Sequence, residues 1–399
     1  MTQHIKQLAL AVAVLACGTT CLAEDFTVDD IAYNITSAEE LTVAVAYNEG
    51  QYVGDVTIPA RVDYEGATYT VTALADQSFF KCADLYSISL PATLTDLGRY
   101  TFSQCTSLQS VELPASIEEI PEGCFIYCTA LKQLSLPDGI LEIGSYGFGY
   151  CSSLAQVNLP SSIETLGDMA FIGCAMPSFT LPESITEVPR YLLALNTALT
   201  QVTLHDKVRR IGECAFQGDP MLQTVALPES LVQIEASAFA QCTGLKAITL
   251  PDAVQAVPDK CFYNDMALET VDLGKGVSSI GTDAFARYSA NSAAPRLKHL
   301  YLHSDVLVSG AESLLNAACK QATLHVPAAL VDSYKADASW SRFGSIVALT
   351  DSGADGIEAI AQEAASAEQT LPCYNLAGQR VPAASKGLTL QGGKKVLRK

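Results

Sequence analysis

The stretch CSSLAQVNLPSSIETLGDMAFIGC, residues 151–174, has a cysteine at each end and matches its neighbours when it is shifted by 23 positions. CTSLQSVELPASIEEIPEGCFIYC (105–128), CTALKQLSLPDGILEIGSYGFGYC (128–151) and CTGLKAITLPDAVQAVPDKCFYND (242–265) repeat the pattern. The common unit is Cys-x-x-Leu-x-x-Val-x-Leu-Pro-x-x-Ile-x-x-Ile-Gly-x-x-x-Phe-x-x. A fixed period of about 20 to 50 residues is typical of a repeat solenoid.

Each unit contains a predicted strand and a predicted turn. Val111 and Leu113 alternate with Ser110 and Glu112, which is the period of a half-buried strand, and Pro114 ends it because proline lacks an N–H. A tight turn is predicted where glycine and proline alternate at one position: Gly98, Pro121, Gly144, Gly167, Pro189, Gly212, Pro258 and Gly281. An aromatic core column, broken only by Leu193, is predicted from Phe102, Phe125, Phe148, Phe171, Phe216, Phe239, Phe262 and Phe285. We therefore predict a solenoid of about ten 23-residue coils with parallel strands over residues 71–303.

The cysteine position of the repeat tolerates other small polar residues. Asn196, Asp219 and Asp265 replace cysteine without any change in the surrounding pattern, which a metal ligand or a nucleophile would not tolerate. A hydrogen-bonding role in a buried turn would tolerate it. The predicted structural ladder is Cys82, Cys105, Cys128, Cys151, Cys174, Asn196, Asp219, Cys242 and Asp265.

Zinc and disulfide bonds are the alternatives for these cysteines. A zinc site needs close spacings such as C-x-x-C, and none accompanies the ladder, so we predict no metal. Disulfide bonds stay open because the chain is predicted to be exported. However, Cβ atoms on stacked coils would be about 4.8 Å apart, farther than the ~3.8 Å that a disulfide prefers. We expect free, buried thiols, and we interpret Cys124, Cys214 and Cys261 as small apolar fillers.

The two ends of the chain and its charge indicate an exported protein. Residues 1–23 carry Lys6, the apolar run LALAVAVLAC and a small-residue end at Ala23, which together predict a signal peptide. Lipidation at Cys17 is the alternative. No later apolar run is long enough to predict a transmembrane helix. A net charge of −19 disfavours nucleic acid and anionic membranes as partners.

Motifs for catalysis are absent from the sequence. It contains no Gly-x-Ser-x-Gly, His-Glu-x-x-His or P-loop pattern, and its five histidines form no evident cluster. Carboxylate pairs such as Glu118 and Glu119 are interpreted as solvated turn residues. We therefore predict no enzyme activity and no cofactor.

The repeat unit resembles the leucine-rich repeat of the BspA-type family of surface proteins, over about residues 71–303. FTVDDIAYNITSAEELTVAVAY and VGDVTIPARVDYEGATYTVTAL, within 24–70, resemble the β-rich N-terminal entry of that family. Strands are predicted there at 28–36, 41–47, 56–58 and 68–71. Residues 304–349 are predicted as an irregular repeat and cap, because TLHVPAALVDSYKADASWSRFGSIVAL resembles the strand-helix-strand ending of such arrays. The period fails at the insertion 289–296.

The C-terminal residues differ in composition from the repeats. Residues 350–370 are small and acidic and predict a linker. Residues 371–399 are basic and alternate across glycine-rich turns, which predicts a small β-hairpin tail. YNLAGQRV and KGLTLQGGKKVLRK resemble the C-terminal sorting signals of the type IX secretion route. A basic tail lying on an acidic protein is the alternative.

Two outward rows of the predicted strands are the candidate binding surface. Most of their side chains are small and uncharged: Ser110, Glu112, Gln133, Ser135, Gln156, Asn158, Thr180, Gln201, Thr203, Thr249, Thr270 and Asp272. The resemblance implies adhesion or binding to host proteins or to bacterial surfaces. A structural spacer and a glycan-binding accessory protein are the alternatives, and ordinary solvated strand surface would account equally well for each residue.

Overall fold

The computed structural model describes residues 24–286, 297–310 and 319–350, together with the backbone of four strands between 373 and 398. The predicted signal segment, the insertion 289–296 and all of the predicted linker except Thr350 lie outside the described residues. The chain divides into two compact units. Unit one is Met1–Met176, Pro182–Ile185 and Tyr191–Asn196, and unit two is Pro177–Leu181, Thr186–Arg190 and Thr197–Lys399.

The repeats of unit one form a coil in which most turns contribute two short strands. The longer strands are β4 (Gly54–Thr57), β7 (Leu85–Ser89), β9 (Ser110–Glu112), β11 (Gln133–Ser135) and β13 (Gln156–Asn158). The two-residue strands are β8 (Asp96–Leu97), β10 (Glu119–Ile120), β12 (Glu142–Ile143) and β14 (Thr165–Leu166). The pairing is parallel, and from β7 onward it joins residues 23 positions apart, as in Gln133 with Gln156. The predicted parallel-strand solenoid is therefore confirmed.

A mixed sheet precedes the coil. It contains β1 (Phe26–Val28), β2 (Ile31–Ser37), β3 (Thr42–Val45), β5 (Arg61–Tyr64) and β6 (Ala67–Leu74) in the order β1-β2-β3-β6-β5. The strand predicted at 28–36 is instead two strands, because Asp29 and Asp30 adopt left-handed φ values of 49° and 62° and turn the chain. Strand β4 pairs in parallel with β7, so the first strand of the coil lies inside the segment predicted as a cap.

Unit two continues the same pattern. Its longer strands are β15 (Ser178–Thr180), β17 (Gln201–Thr203), β20 (Ala247–Leu250), β22 (Thr270–Leu273), β24 (His299–Leu302), β25 (Thr323–Val326) and β26 (Ser345–Ala348). Its two-residue strands are β16 (Glu187–Val188), β18 (Arg210–Ile211), β19 (Gln233–Ile234), β21 (Ala256–Val257) and β23 (Ser279–Ile280). Strands β20-β22-β24-β25-β26 form one parallel sheet.

The repeats end in a strand-helix-strand segment, as predicted. Helix α1 (Val331–Ala336) lies between β25 and β26. Trp340 is buried, and its indole N–H donates to the carbonyl oxygen of Val308 at 3.0 Å. The tail forms β27 (Cys373–Tyr374), β28 (Arg380–Val381), β29 (Gly387–Gln391) and β30 (Lys394–Arg398), with antiparallel order β28-β27-β29-β30. No helix of the described residues is both long and apolar enough to cross a membrane.

Stacked phenylalanine rings fill the core of each unit. In unit one, ring centroids are 5.3 to 5.4 Å apart from Phe79 to Phe171, and Tyr52 continues the stack onto Phe79 at 4.7 Å. In unit two, the rings from Phe216 to Phe285 are 5.2 to 5.7 Å apart. The predicted column is present, and Phe79 and Tyr52 extend it beyond the prediction.

The repeated glycine has a different role from the one predicted. A Cβ atom on Gly144 would lie 2.8 Å from the backbone nitrogen of Glu122, and one on Gly167 would lie 2.3 Å from that of Ser145. Close approach of one turn to the backbone of the preceding turn therefore selects glycine here. The left-handed positions of the turn are occupied mostly by larger residues, such as Tyr146 with a φ of 56°.

Candidate functional site

The predicted binding residues of unit one lie together on one face. Strands β9 and β11 bury Val111 and Leu134, strand β13 half-buries Val157, and all three strands expose the residues that alternate with these. Parallel register places Gln133 beside Gln156 and Ser135 beside Asn158. A surface depression of about 650 Å³ lies over these strands and is lined by six predicted residues: Ser110, Glu112, Gln133, Ser135, Gln156 and Asn158.

The electrostatic character of this depression is nearly neutral. Glu112 is the one charged side chain among its lining residues. Within the described part of the chain, none of the six predicted residues uses its side chain in a hydrogen bond or ion pair. The face therefore offers amide and hydroxyl groups that can both donate and accept hydrogen bonds.

Unit two places its predicted residues less uniformly. Thr180, Gln201, Thr203 and Thr249 are exposed on their strands. Thr270, however, is only 3% exposed.

The prediction of an exposed row is wrong at Thr270, because the strand register places the larger side chain of His299 beside it. Asp272 is also mostly covered, because Tyr301 lies beside it. Its carboxylate accepts a hydrogen bond from Nε2 of His303 at 2.9 Å, and this bond raises the pKa of His303 above its ordinary value.

Two partly exposed histidines and a buried tyrosine lie on the outward side of β24 and β25, where the sequence predicted no ring side chains. His325 stacks on Tyr301 with ring centroids 4.2 Å apart, and Nδ1 of His299 lies 3.1 Å from Nε2 of His325. Burial, followed by the charge of His299, lowers the pKa of His325. The signal in the sequence was the alternation in HLYL and TLHV, which continues the strand pattern after the period is lost.

The cysteine ladder consists of hydrogen bonds between consecutive turns. The Sγ atom of Cys151 lies 3.0 Å from the carbonyl oxygen of Phe125, 26 residues earlier. Equivalent bonds of 3.0 to 3.2 Å join Cys105 to Phe79, Cys128 to Phe102, Cys174 to Phe148 and Cys242 to Phe216. Cys82, in the first turn, lies farther from its acceptor, at 3.9 Å from the carbonyl oxygen of Asn48.

The residues that replace cysteine occupy the same buried place. Nδ2 of Asn196 donates to the carbonyl oxygen of Phe171 at 2.9 Å, so the amide substitutes for the thiol as a donor. Asp265 is also buried, and its two carboxylate oxygens find no hydrogen-bond partner among the described residues. Burial raises the pKa of Asp265 well above its usual range. The ladder position therefore favours a group that carries a proton to donate.

Burial makes the thiols of the ladder poorly reactive. The ten cysteines with described side chains are buried, and none of these ten forms a disulfide bond. Burial raises the pKa of Cys151 to about 12, and it raises that of Cys124, which lies off the ladder, still further. Because the thiolate is the nucleophile and the metal ligand, these cysteines lack the environment of a reactive site.

Two further surface features lie in unit one. A cavity of about 1100 Å³ in the N-terminal sheet is larger than the depression on the strand face, and its lining includes Asp29, Asp30, Glu49 and Asp55. None of these carboxylates was predicted as a site, and Glu49 is paired with Lys81 at 2.7 Å. The second feature is a group of half-buried tyrosines, in which Tyr127 and Tyr150 stack with centroids 4.9 Å apart.

Among residues 24–286, 297–310 and 319–350, no three His, Cys, Asp or Glu side chains are placed to hold one ion.

Comparisons with known proteins agree with this architecture. The family described as BspA type leucine rich repeat region matches residues 72–196 and 195–298, with six copies of its repeat. No curated protein is a significant match.

Several solved structures are similar to the chain. A leucine-rich repeat protein from Bacteroides ovatus is 21% identical, with 76% of this chain and 99% of that chain covered and a TM-score of 0.40. A leucine rich cell surface protein from Faecalibacterium prausnitzii is 21% identical, with coverages of 86% and 98% and a TM-score of 0.47. The pneumococcal vaccine antigen PcpA is 17% identical, with coverages of 83% and 100% and a TM-score of 0.45. Because these TM-scores are below 0.5, the family of the chain follows from the repeat match alone.

Proposed function

Because the chain belongs to the BspA-type leucine-rich repeat family, we propose that it is an exported surface protein that binds macromolecular partners through its outward strand face. The observation that carries this proposal is the depression over β9, β11 and β13, with its six exposed polar residues. A regular row of uncommitted donors and acceptors on rigid strands suits recognition of an extended surface. Bacterial surfaces and host extracellular proteins are the partner classes that we propose.

The outward strand face of unit one suits a partner that touches many of its residues weakly. Its rows lack an aromatic anchor, and aromatic side chains supply much of the energy in tight interfaces. In unit two, the partly exposed rings of His299 and His325 add ring surface beside the polar row. We therefore expect partner contacts of unit one to be spread over many residues.

A binding panel with paired variants tests this proposal. The panel contains host extracellular proteins, glycans and intact bacterial surfaces, and it is probed with the full chain. The double variant Ser135→Arg, Asn158→Arg fills the depression with large charged side chains. Its control is Thr106→Arg, Ser152→Arg, at two exposed turn positions of the same unit.

We expect the strand-face variant to lose at least about tenfold in partner affinity, since each disrupted contact costs on the order of 1 kcal/mol. The control should bind normally. Equal binding by the two double variants would exclude the strand face of unit one as the binding surface. Failure of every probe to bind would favour the structural spacer.

Glycan binding is the second candidate function, and the half-buried Tyr127 and Tyr150 favour it. Tyrosine rings at a surface combine an apolar body with a polar hydroxyl, which suits the mixed surface of a sugar. Tyr127→Ala should then reduce binding to glycans in the same panel and leave binding to proteins unchanged. Protein binding that falls together with glycan binding would contradict this assignment.

Export by the type IX route also stays a proposal for the tail, residues 371–399. Its support is the antiparallel sheet β28-β27-β29-β30, which matches the predicted hairpin pattern. Truncation after residue 370 should leave the protein inside a host that carries this route. Normal export of the truncated chain would leave the tail without a sorting role.

A further inference from the structure

The observation that extends beyond partner binding is the pair of histidines on β24 and β25. The two strands are parallel, with Tyr301 directly beside His325. His299 precedes Tyr301 by two positions and therefore points to the same face. Its Nδ1 atom lies 3.1 Å from Nε2 of His325, and both imidazoles are partly exposed.

We propose that His299 and His325 form a two-histidine binding site for a divalent transition-metal ion. Imidazole nitrogen suits zinc, copper and nickel. Nitrogens about 2.0–2.1 Å from one zinc ion are about 2.9 Å apart at a right angle and about 3.4 Å apart at the tetrahedral angle. The observed separation of 3.1 Å lies between these two values. On binding, both rings would rotate so that their nitrogen lone pairs point at one ion and not at each other.

The surroundings keep this pair in place. The ring of Tyr301 stacks on His325 at 4.2 Å, so the imidazole rests on a largely buried aromatic surface. The backbone positions of both histidines are fixed by the pairing of β24 with β25. A chelating pair that is held before the ion arrives loses less entropy on binding than two mobile side chains would.

Two protein ligands leave coordination positions unfilled. Asp272, the carboxylate on the neighbouring strand, is engaged by His303 at 2.9 Å. Within the described chain no third side chain completes the cluster. Water or donor atoms of a bound partner would therefore take the other positions, as in metal sites that keep an open position.

Metal preference follows from the ligands. Two neutral nitrogens should bind copper(II) more tightly than nickel(II) or zinc(II), and manganese(II) most weakly. Magnesium and calcium, which prefer oxygen ligands, should not bind here. The competing interpretation is a hydrogen bond between the two rings with no affinity for metal.

The test is a metal titration of the full chain, without a histidine tag and after treatment with a chelator. Zinc binding is measured by calorimetry, and copper coordination is measured by electron paramagnetic resonance. The variants are His299→Ala, His325→Ala and, as the matched control, His205→Ala, which lies on a different turn. Circular dichroism and thermal melting establish that each variant is folded.

We expect one ion per chain at this site and a copper spectrum with two coordinated nitrogens. Each of His299→Ala and His325→Ala should weaken zinc binding by at least about tenfold, since even outer-shell changes cost that much. His205→Ala should bind as the parent does. Zinc binding that survives both substitutions, or no saturable binding by the parent, would overturn the proposal and leave the pair as a hydrogen bond alone.

Discussion

Strands β11 and β13 of unit one place Gln133 beside Gln156, whereas strands β24 and β25 of unit two place Tyr301 beside His325. Both pairs are parallel, in register and on the outward side of a strand. The first pair is neutral and hydrogen-bonding, and the second is aromatic and titratable. The backbone of the repeat therefore fixes where a side chain points and leaves its chemistry free to vary.

The two regions also differ in how their turns are held. The regular turns depend on the phenylalanine column and the donor ladder, while the C-terminal segment depends on Trp340 and Tyr334. The hydroxyl of Tyr334 accepts from the backbone N–H of Val308 at 3.0 Å, and the indole of Trp340 donates to the carbonyl of the same residue. Repetition supports one region and specific tertiary contacts support the other.

The largest expected effect tests the dependence of unit one on its column. Phe148 is fully buried between Phe125 and Phe171, each 5.4 Å away. Phe148→Ala should lower the free energy of unfolding by about 3–5 kcal/mol, because it removes a buried ring and leaves a cavity. Chemical denaturation measures the loss, and hydrogen exchange should show the adjacent turns opening. Leu141→Ala, at a side chain that is 39% exposed, is the control, and equal losses in the two variants would contradict the column.

The donor ladder gives the next largest effect. Cys151→Leu would leave the carbonyl of Phe125 without its thiol donor, at a cost of about 1–3 kcal/mol. Cys151→Asn should be tolerated better, because Asn196 already donates from the equivalent position. Thermal melting of the two variants compares them directly. If Cys151→Leu were as stable as Cys151→Asn, the ladder bond would contribute nothing.

Asp265 tests the same ladder in unit two through pH. Its folded pKa is raised by burial, so its stabilising contribution is present below the unfolded pKa, about 3.9, and is lost as pH rises through the folded pKa. Asp265→Asn removes that loss. We expect it to raise the melting temperature at pH 7 and to change it less at pH 4.

Asp138→Asn, the same substitution at an exposed position off the ladder, serves as the control for this experiment. A stabilisation by Asp265→Asn that is the same at both pH values would indicate a cause other than the buried charge.

The smallest effect concerns the ion pair of the C-terminal face. The folded pKa of His303 is raised by its bond to Asp272, so the pair stabilises below the unfolded histidine pKa of about 6.5, and this stability is lost as pH rises through the folded value. His303→Gln should therefore destabilise at pH 5.5 and have little effect at pH 9. With partly exposed partners the difference should stay below about 1 kcal/mol. Thermal melts at the two pH values decide this, and a larger loss at pH 9 would reverse the assignment.

The sequence predicts what repeats every 23 residues. The strand of Gln133, the ladder position of Cys151 and the column position of Phe148 all follow from that period, since stacked turns impose one environment on equivalent residues.

The 23-residue period is lost after β22, so the repeat no longer predicts which residues are paired there. Register pairs Val271 with Leu300, 29 positions later, and Leu300 with Leu324, 24 positions later. Shifting the sequence by 23 therefore could not align Tyr301 with His325, nor show that His299 would cover Thr270. The role of the repeated glycine was predicted wrongly for another reason. A position shared by glycine and proline does not tell a positive φ from a close approach of two backbones.

For five cysteines the ladder bond spans 26 residues and ends on a phenylalanine carbonyl in the preceding turn, and Asn196 reaches the equivalent carbonyl of Phe171 across 25 residues. These donors therefore meet an equivalent acceptor whichever of these copies of the unit comes before them. Gain or loss of a 23-residue segment by recombination between copies of the repeat would join one donor to another equivalent acceptor and leave no bond unmade. The length of the array can thus change during evolution in whole units.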